Sequence, residues 1–489
     1  QALFYLKEEK PDKSGKAGKR VRYDGLEPRY ELNTEEQELS AGCLPLNRLF
    51  DANGALAAWK ESYLSKLSGN DLPRYKEFSK SWDRLVQPWL DAIRSYPFPV
   101  VDLRSDMPLG AICHIFEKVN STGVPLDVFD LCTAILWAKG FRLNEKWAET
   151  RQKLEQANIL SMQPKPLAGT PFLQAISLLD SIERKRQAKP GERIAVACRK
   201  EDLMKMSVET VQKWWDVMVE AYRDASMFMA DQGILDARIL PYTTLLIPLS
   251  AFFADFKHRK GAAHLGETWP KVARWYWCSV FNQRYSSQVE SAAAKDFEQL
   301  LLWVEGGDPP DVVRTFGFRS DDLQEITSIR NAIYKGILCL LARDGARDFG
   351  GGTKLSVALF YNSRQDHHHI FPRDALKQMG ITDPRSETII NKTLISSSVN
   401  QSIGNKRPMQ YVQALTSKLG AASIDEILFS HRINPDLLRQ DNWGAFVLDR
   451  RERLRDLIIS ACGGNVQPFY ENDPHGLAVV ASDDEESVA

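Results

Sequence analysis

Apolar residues between positions 141 and 335 recur with the period of an α-helix. Large aliphatic and aromatic side chains return every three or four residues, which gives each segment one apolar face. These faces are formed by Trp214, Trp215, Met218 and Tyr222, by Leu240, Leu245, Leu246, Ile247 and Leu249, and by Trp269, Val272, Trp275, Tyr276 and Val280. The pattern predicts a helical region whose apolar faces pack into a core.

Only short segments have the composition of β-strands. Residues 98–103 and 356–360 are apolar, rich in Val, Phe and Leu, and bounded by turn-forming or polar residues. Further helices are predicted at 71–96, after the cap residue Asp127, from Asp374, and at 411–419, 424–430 and 443–459. The predicted fold class is therefore mainly α with small β elements (α+β).

Length and charge narrow the functional classes. The chain has 489 residues, 43% of them hydrophobic, and a formal net charge of −1. Such a chain has no broad basic field, so nucleic acid would have to bind through local patches. No apolar run reaches the roughly 18 residues of a transmembrane helix, and no signal peptide is predicted. The seven cysteines form no CxxC pair, which predicts reduced thiols and a cytoplasmic location.

Changes in composition predict four regions, namely 1–140, 141–335, 336–467 and an acidic, disordered tail at 468–489. The chain starts at Gln1 rather than Met, which predicts that upstream sequence has been lost. Two basic stretches, at residues 7–22 and 184–200, are compatible either with contacts to phosphates or with solvated linkers.

Three of the eight histidines stand together as His367, His368 and His369. On a strand, His367 and His369 would lie on one face and His368 on the other. A solvated turn or a hydrogen-bonded core histidine would also explain the cluster. The chemistry that such a cluster can perform is phosphodiester hydrolysis, which needs a base for water and a cation for the charge on phosphate. An imidazole suits the first role at neutral pH, and Mg²⁺ or Mn²⁺ suits the second.

The segment His368-His369-Ile370-Phe371-Pro372, followed by Asn391 and Asn400, resembles the HNH (ββα-metal) nuclease motif. The two asparagines are nine residues apart (400 − 391), as in the HNH domain of RNA-guided CRISPR nucleases. The resemblance implies that His369 is the general base and that His368 and Asn400 bind the metal. It also implies that Asn391 braces the loop that orients His369, and that Lys406 lies near a phosphate. His367 receives no role.

A second segment, residues 116–126, contains Asn120-Ser121-Thr122-Gly123 and resembles a motif of the ParB-like domain in modification-dependent (type IV) restriction enzymes of the GmrSD kind. By itself, the segment is also explained as a Gly-terminated helix before a capped one. An HNH domain closes those enzymes. The resemblance implies a ParB-like N-terminal domain whose start, with its Asp-Gly-Gln-Gln-Arg motif, is missing here. Asn120 to Gly123 would then contact a nucleotide or substrate.

The predicted function is a metal-dependent DNA endonuclease of anti-phage defence that acts on modified double-stranded DNA. Its cofactor would be Mg²⁺ or Mn²⁺, with a nucleoside triphosphate as a candidate ligand of the N-terminal domain. The alternatives are a binding protein that senses nucleotides or DNA modification through a vestigial HNH unit, and a nucleoside triphosphatase. No membrane partner is predicted, and a homo-oligomer is left open.

Overall fold

The computed structural model describes residues 3–5, 34–51, 53–97, 127–155, 168–356 and 365–464, with single positions at 100, 102, 107, 111 and 115. Several sequence predictions lie wholly or mostly outside these residues: both strands, at 98–103 and 356–360, the segment Asn120 to Gly123, and the acidic tail. Contacts divide the chain into two compact units, Gln1–Met107 and Pro108–Ala489.

The first unit is a small helical body with one strand pair. Strand β1 (Leu3–Tyr5) pairs antiparallel with β2 (Cys43–Pro45). The helices are α1 (Glu35–Ala41), a 3₁₀ turn (Leu46–Phe50), α2 (Ala55–Ser68), α3 (Leu72–Leu85) and α4 (Gln87–Arg94). Trp59, Tyr63 and Trp82 pack ring against ring at its centre.

The single helix predicted at 71–96 is wrong in one respect, because it is broken at Val86 between α3 and α4. Pro88 explains the break, since proline lacks an amide hydrogen and its ring clashes with the carbonyl four residues earlier. Leu85 and Trp89, which the period places on an apolar face, are 52% and 66% exposed.

The second unit is mainly α-helical, as predicted. Its first helices are α5 (Val128–Trp137), α6 (Leu143–Glu155), α7 (Gly169–Gln187), α8 (Lys200–Lys205), α9 (Val208–Asp231), α10 (Leu246–Lys260), α11 (Leu265–Phe281), α12 (Val289–Val304), α13 (Asp311–Arg314) and α14 (Ala332–Arg343). Asp127 caps α5 as predicted, because its side chain accepts from the Asp130 amide. The predicted apolar residues pack into the core from α9, α10 and α11, except that Leu240 and Leu245 lie before α10 and Trp269 is only partly buried.

The histidine segment forms a strand–strand–helix unit. Strand β3 (Gln365–His369) pairs antiparallel with β4 (Lys392–Ser396), and α16 (Ser397–Ile403) follows β4 directly. The short helix α15 (Arg373–Gln378) lies between the strands in sequence. Helices α17 (Pro408–Leu419), α18 (Ala421–Ser430), α19 (Pro435–Arg439) and α20 (Trp443–Ala461) complete the described chain.

One hydrophobic core runs through the described part of the second unit, from Leu131 to Cys462. The helical region and the strand–strand–helix unit therefore share their interior. The boundary expected after position 335 falls inside α14, and the four-part division stays a prediction. The six described cysteines are buried and unbridged. Among the described helices, none is long and apolar enough to cross a membrane.

Candidate active site

The alternation of side chains along β3 separates the histidines as predicted. His368 is 2% exposed, whereas His367 and His369 are only partly buried. In the pairing with β4, His368 is opposite Thr393 and His369 is opposite Lys392. Residues opposite each other in an antiparallel pair share a face, so the two histidines have different neighbours.

His368 lies next to Asn400 of α16. The Nδ1 atom of His368 is 2.9 Å from Oδ1 of Asn400, although 32 residues separate them in sequence. The rings of Phe349 and Tyr411 meet the imidazole edge-on and surround it with apolar surface. Burial lowers the pKa of His368 to about 4, so the ring is neutral at pH 7. A neutral imidazole is the form that can bind a cation.

Asp348 holds the start of the helix that carries Asn400. Its carboxylate accepts hydrogen bonds from the backbone amide of Ser396, at 2.6 Å, and from the Ser396 hydroxyl, at 3.0 Å. Ser396 is the residue immediately before α16. The sequence gives no sign of this contact, because Asp348 lies 48 residues away in a glycine-rich turn.

A second buried histidine supports the same face. The Thr393 hydroxyl and His431 Nδ1 are 2.6 Å apart, and His431 Nε2 is 2.7 Å from the carbonyl of Arg347. Because a carbonyl only accepts, Nε2 of His431 carries the hydrogen and Nδ1 accepts from Thr393. Burial lowers the pKa of His431 to about 4. Thr393 is thereby fixed opposite His368 on the neighbouring strand.

His369 faces a charged environment. The Nζ atom of Lys392 lies 2.5 Å from its Nε2, and the Glu387 carboxylate lies 3.4 Å from the same nitrogen. Glu387 in turn pairs with Arg373 and with Lys392. Burial and the nearby Lys392 charge lower the pKa of His369, which keeps this imidazole neutral at pH 7.

Asn391 is fully buried and binds the turn that follows His369. Its Oδ1 accepts from the Phe371 amide at 2.8 Å, while its Nδ2 donates to the carbonyls of Phe371 and Ser386, both at 2.9 Å. Its backbone carbonyl accepts from the Ile370 amide at 3.0 Å. These contacts make Asn391 a positioning residue for the end of β3. The guanidinium of Arg450, which is also fully buried, donates to the adjacent carbonyl of Ile390.

The three histidines and Asn400 line one cavity of about 500 Å³. The side chains at its wall include His367, His368, His369, Asn400, Arg373 and Lys377. His367 also lies against Tyr334 of α14, whose hydroxyl is 3.1 Å from its Nδ1. The two predicted metal ligands and the predicted base therefore converge on one space.

Lys406 is placed elsewhere. Its Nζ donates to the Ser402 carbonyl at 2.8 Å, and it lines a different cavity, of about 430 Å³, between α16 and α17. The chain turns at Gly404, which has a left-handed φ of 55°, so Lys406 leaves the histidine side of α16. The basic side chains at the histidine cavity are instead Arg373 and Lys377 of α15, which directly follow the His-Ile-Phe-Pro segment.

The donor atoms at His368 and Asn400 fit a small, hard cation. Imidazole nitrogen and amide oxygen are both suitable ligands for Mg²⁺ or Mn²⁺. Nδ1 of His368 donates a hydrogen bond to Oδ1 of Asn400 at 2.9 Å, because an amide oxygen only accepts, so a cation bound by both atoms would replace that hydrogen. Within the described residues, no group of three or more His, Cys, Asp or Glu side chains could hold a metal. A cation held here would therefore keep several waters, as Mg²⁺ commonly does.

An archaeal protein is similar to this chain over about three quarters of its length. No family model matches the chain. Over 387 residues the chain is 27% identical to an uncharacterized protein of Methanocaldococcus jannaschii. The alignment covers 74% of this chain and 62% of the archaeal protein, so the chain spans less than two thirds of that relative.

Proposed function

We propose that this protein is a metal-dependent endonuclease of the HNH kind that hydrolyses phosphodiester bonds of DNA. The observation that carries the proposal is the contact between His368 and Asn400 at the wall of the cavity that His369 also lines. The strand–strand–helix order of β3, β4 and α16 supports it, because a ββα-metal site is built in that order.

His369 is the proposed general base. Its neutral imidazole accepts the proton of a water molecule as the water attacks phosphorus. Asn391 holds the turn after β3 through the Phe371 backbone and so keeps the imidazole in place. The Lys392 ammonium donates a hydrogen bond to Nε2 of His369. Proton transfer to that nitrogen therefore requires Lys392 to donate to another acceptor.

His368 and Asn400 are the proposed ligands of the divalent ion. A divalent ion held by these two residues would supply Lewis-acid stabilisation of the charge on the phosphate and the leaving oxygen. The apolar rings of Phe349 and Tyr411 hold the His368 imidazole and exclude water from its buried edge. Asp348 fixes the position of α16, and therefore of Asn400, through Ser396.

We propose that the biological substrate is modified phage DNA and that the protein works in the cytoplasm as part of a restriction system. The support is the resemblance to modification-dependent restriction enzymes, together with the basic side chains Arg373 and Lys377 at the cavity. The nucleotide ligand predicted for Asn120 to Gly123 stays a prediction, because those residues lie outside the described part of the chain.

A binding protein with an inactive HNH unit is the second candidate. The contact between the Lys392 ammonium and His369 Nε2 favours it, because a donor at that nitrogen opposes proton acceptance there. Cleavage distinguishes the two candidates.

The test is incubation of the purified protein with modified and unmodified phage DNA in Mg²⁺ or Mn²⁺, with EDTA as the negative control. Each reaction is run with and without a nucleoside triphosphate. We expect nicks or breaks in the modified DNA that require the divalent ion. Intact DNA under every condition, together with specific binding of modified DNA, would support the second candidate.

A further inference from the structure

Glu387 lies where two cationic side chains and the His369 ring come together. The Arg373 guanidinium makes two hydrogen bonds to its carboxylate, through Nε and Nη2. Lys392 Nζ lies 3.5 Å from Oε2, and His369 Nε2 lies 3.4 Å from both carboxylate oxygens. These contacts lower the pKa of Glu387 to about 2, chiefly through Arg373, so the carboxylate is an anion at neutral pH.

The same donors also suit a phosphodiester. A guanidinium fork binds two oxygens of a phosphate as well as it binds two oxygens of a carboxylate, and an ammonium binds either anion as a point charge. Glu387 therefore presents to Arg373 and Lys392 the kind of charge that a nucleic-acid backbone would present. A carboxylate in this position competes directly with a bound phosphate.

Charge allows the exchange, and access to the site runs through Arg373, because the Lys392 side chain is only 10% exposed. The Arg373 side chain is 61% exposed and lines the histidine cavity, so it can bind a ligand without unfolding its helix. Arg373 and Lys392 carry two positive charges against one on Glu387, which leaves a surplus of +1. Lys377, whose Nζ is 3.9 Å from Asp374, lies on the same wall of the cavity.

We propose that Arg373 and Lys392 form a binding site for a phosphodiester of DNA, and that the Glu387 carboxylate occupies this site until the backbone displaces it. The inference rests on the proposed function and adds the residues that hold the phosphate. Strand pairing puts Lys392 opposite His369, so a phosphate at this site lies beside the proposed base. The phosphate would also give the Lys392 ammonium the alternative acceptor that frees His369 Nε2.

The experiment measures DNA binding apart from cleavage. A fluorescent duplex is titrated with each variant in EDTA, by anisotropy, at several salt concentrations. Glu387→Gln keeps the shape of the side chain but removes the competing charge. It should bind DNA about fivefold more tightly than the wild type. Arg373→Gln should bind DNA more weakly. The magnitude of the slope of log K against log salt should fall by about one, which corresponds to the loss of one phosphate contact.

Asp425→Asn is the matched control. Asp425 pairs with Arg439 as Glu387 pairs with Arg373, and its side chain is 34% exposed compared with 33% for Glu387. Unlike Arg373, Arg439 does not line the histidine cavity. Both variants remove one negative charge. If only Glu387→Gln gains affinity for DNA, the gain comes from the Arg373 and Lys392 site and not from the change in net charge. In the double variant of Glu387 and Arg373, most of that gain should disappear.

Equal affinities for Glu387→Gln, Asp425→Asn and the wild type would overturn the inference. DNA cleavage with those equal affinities would leave the proposed nuclease intact while removing the phosphate site. Conversely, tighter binding by Glu387→Gln with no cleavage by any variant would support the phosphate site and contradict the nuclease. A wild-type protein that binds no DNA at low salt would contradict both.

Discussion

The two faces of the β3–β4 pair differ in nearly every physical property. On one face, His368 and Thr393 are buried among Phe349, Tyr411 and His431 and make hydrogen bonds to neutral groups. On the other face, His369 and Lys392 meet the charged side chains of Glu387 and Arg373. Adjacent residues of one strand thus have opposite surroundings.

Burial is the largest cause of the lowered pKa in both His368 and His369. What differs is the freedom of the neighbours to rearrange. The partners of His368 are packed and neutral, which suits a ligand that must keep one geometry. The surroundings of His369 are charged, and Glu387 and Arg373 are partly exposed, which suits a group whose hydrogen bonds change when an anionic substrate arrives. The comparison predicts different consequences for mutations on the two faces.

The largest effect is expected for His369→Ala on the charged face. Removal of a general base lowers a rate by roughly 10²–10⁴-fold, and the half-buried ring contributes little to the core. Nicking of plasmid DNA in Mn²⁺ measures the rate, and thermal melting confirms the fold. The exposed His264 provides a control, because His264→Ala removes the same group and His264 does not line the histidine cavity. Equal nicking by His369→Ala and the wild type would contradict the assigned base.

Asn391→Ala should chiefly destabilise the protein. The change leaves the buried amide and carbonyl of Phe371 without their partner, at a cost of roughly 2–4 kcal/mol. Urea unfolding followed by circular dichroism gives the free energy. Asn391→Asp keeps the acceptor but places a buried carboxylate against the carbonyls of Phe371 and Ser386, so it should be at least as unstable as the Ala variant. An unchanged unfolding midpoint for the Ala variant would show that this turn is held by other contacts.

Asn400→Ala should weaken divalent-ion binding by at least about tenfold, because it removes one of two protein ligands. Asn400→Asp should do the reverse, since a carboxylate is a stronger ligand for a hard cation. Titration with Mn²⁺, followed by electron paramagnetic resonance, measures both affinities. Asn405→Ala removes an amide from the same cavity and controls for general changes in its polarity. If neither Asn400 substitution changes the affinity for Mn²⁺, the cation is bound elsewhere.

The smallest expected effect is the pH dependence of stability that His431 contributes on the buried face. The pKa of His431 falls from 6.5 to about 4 on folding, so the unfolded chain binds the proton more readily. The stability contributed by neutral His431 is present above pH 6.5 and is lost as the pH falls toward 4. Between pH 6.5 and 5.5 this single group should cost about 1 kcal/mol.

The comparison for that prediction is between the wild type and His431→Asn. Arg450 and His368 are the other ionisable groups near His431, and both remain in the variant. Urea unfolding at the two pH values should show a smaller loss in the variant by that amount. Identical losses of stability in the two proteins would mean that folding does not lower the pKa of His431.

Sequence patterns predicted the parts of the site that depend on short-range order. The two-residue period of a strand separates His368 from His369, and the structure has that separation. The motif spacing brought Asn391 and Asn400 into consideration, and both lie beside β3 in the structure. The helical period likewise gave the buried faces of α9 to α11.

Long-range partners could not be read from the sequence. Asp348, Tyr334 and Arg450 contact the site from 33 to 60 residues away in sequence, and no local pattern marks them. Lys406, which the HNH resemblance places near a phosphate, lines a different cavity from Asn400, and its role stays a prediction. The turn at Gly404 directs it elsewhere, and Arg373 takes the basic position at the histidine cavity.

The central claim is that His368 and Asn400 hold one cation beside His369. The most direct measurement is an anomalous-scattering map of crystals soaked in Mn²⁺. We predict a single strong peak within bonding distance of both His368 Nδ1 and Asn400 Oδ1, with the His369 ring beside it. A fully soaked crystal without density between those two atoms, or with the ion bound at another place, would contradict the account.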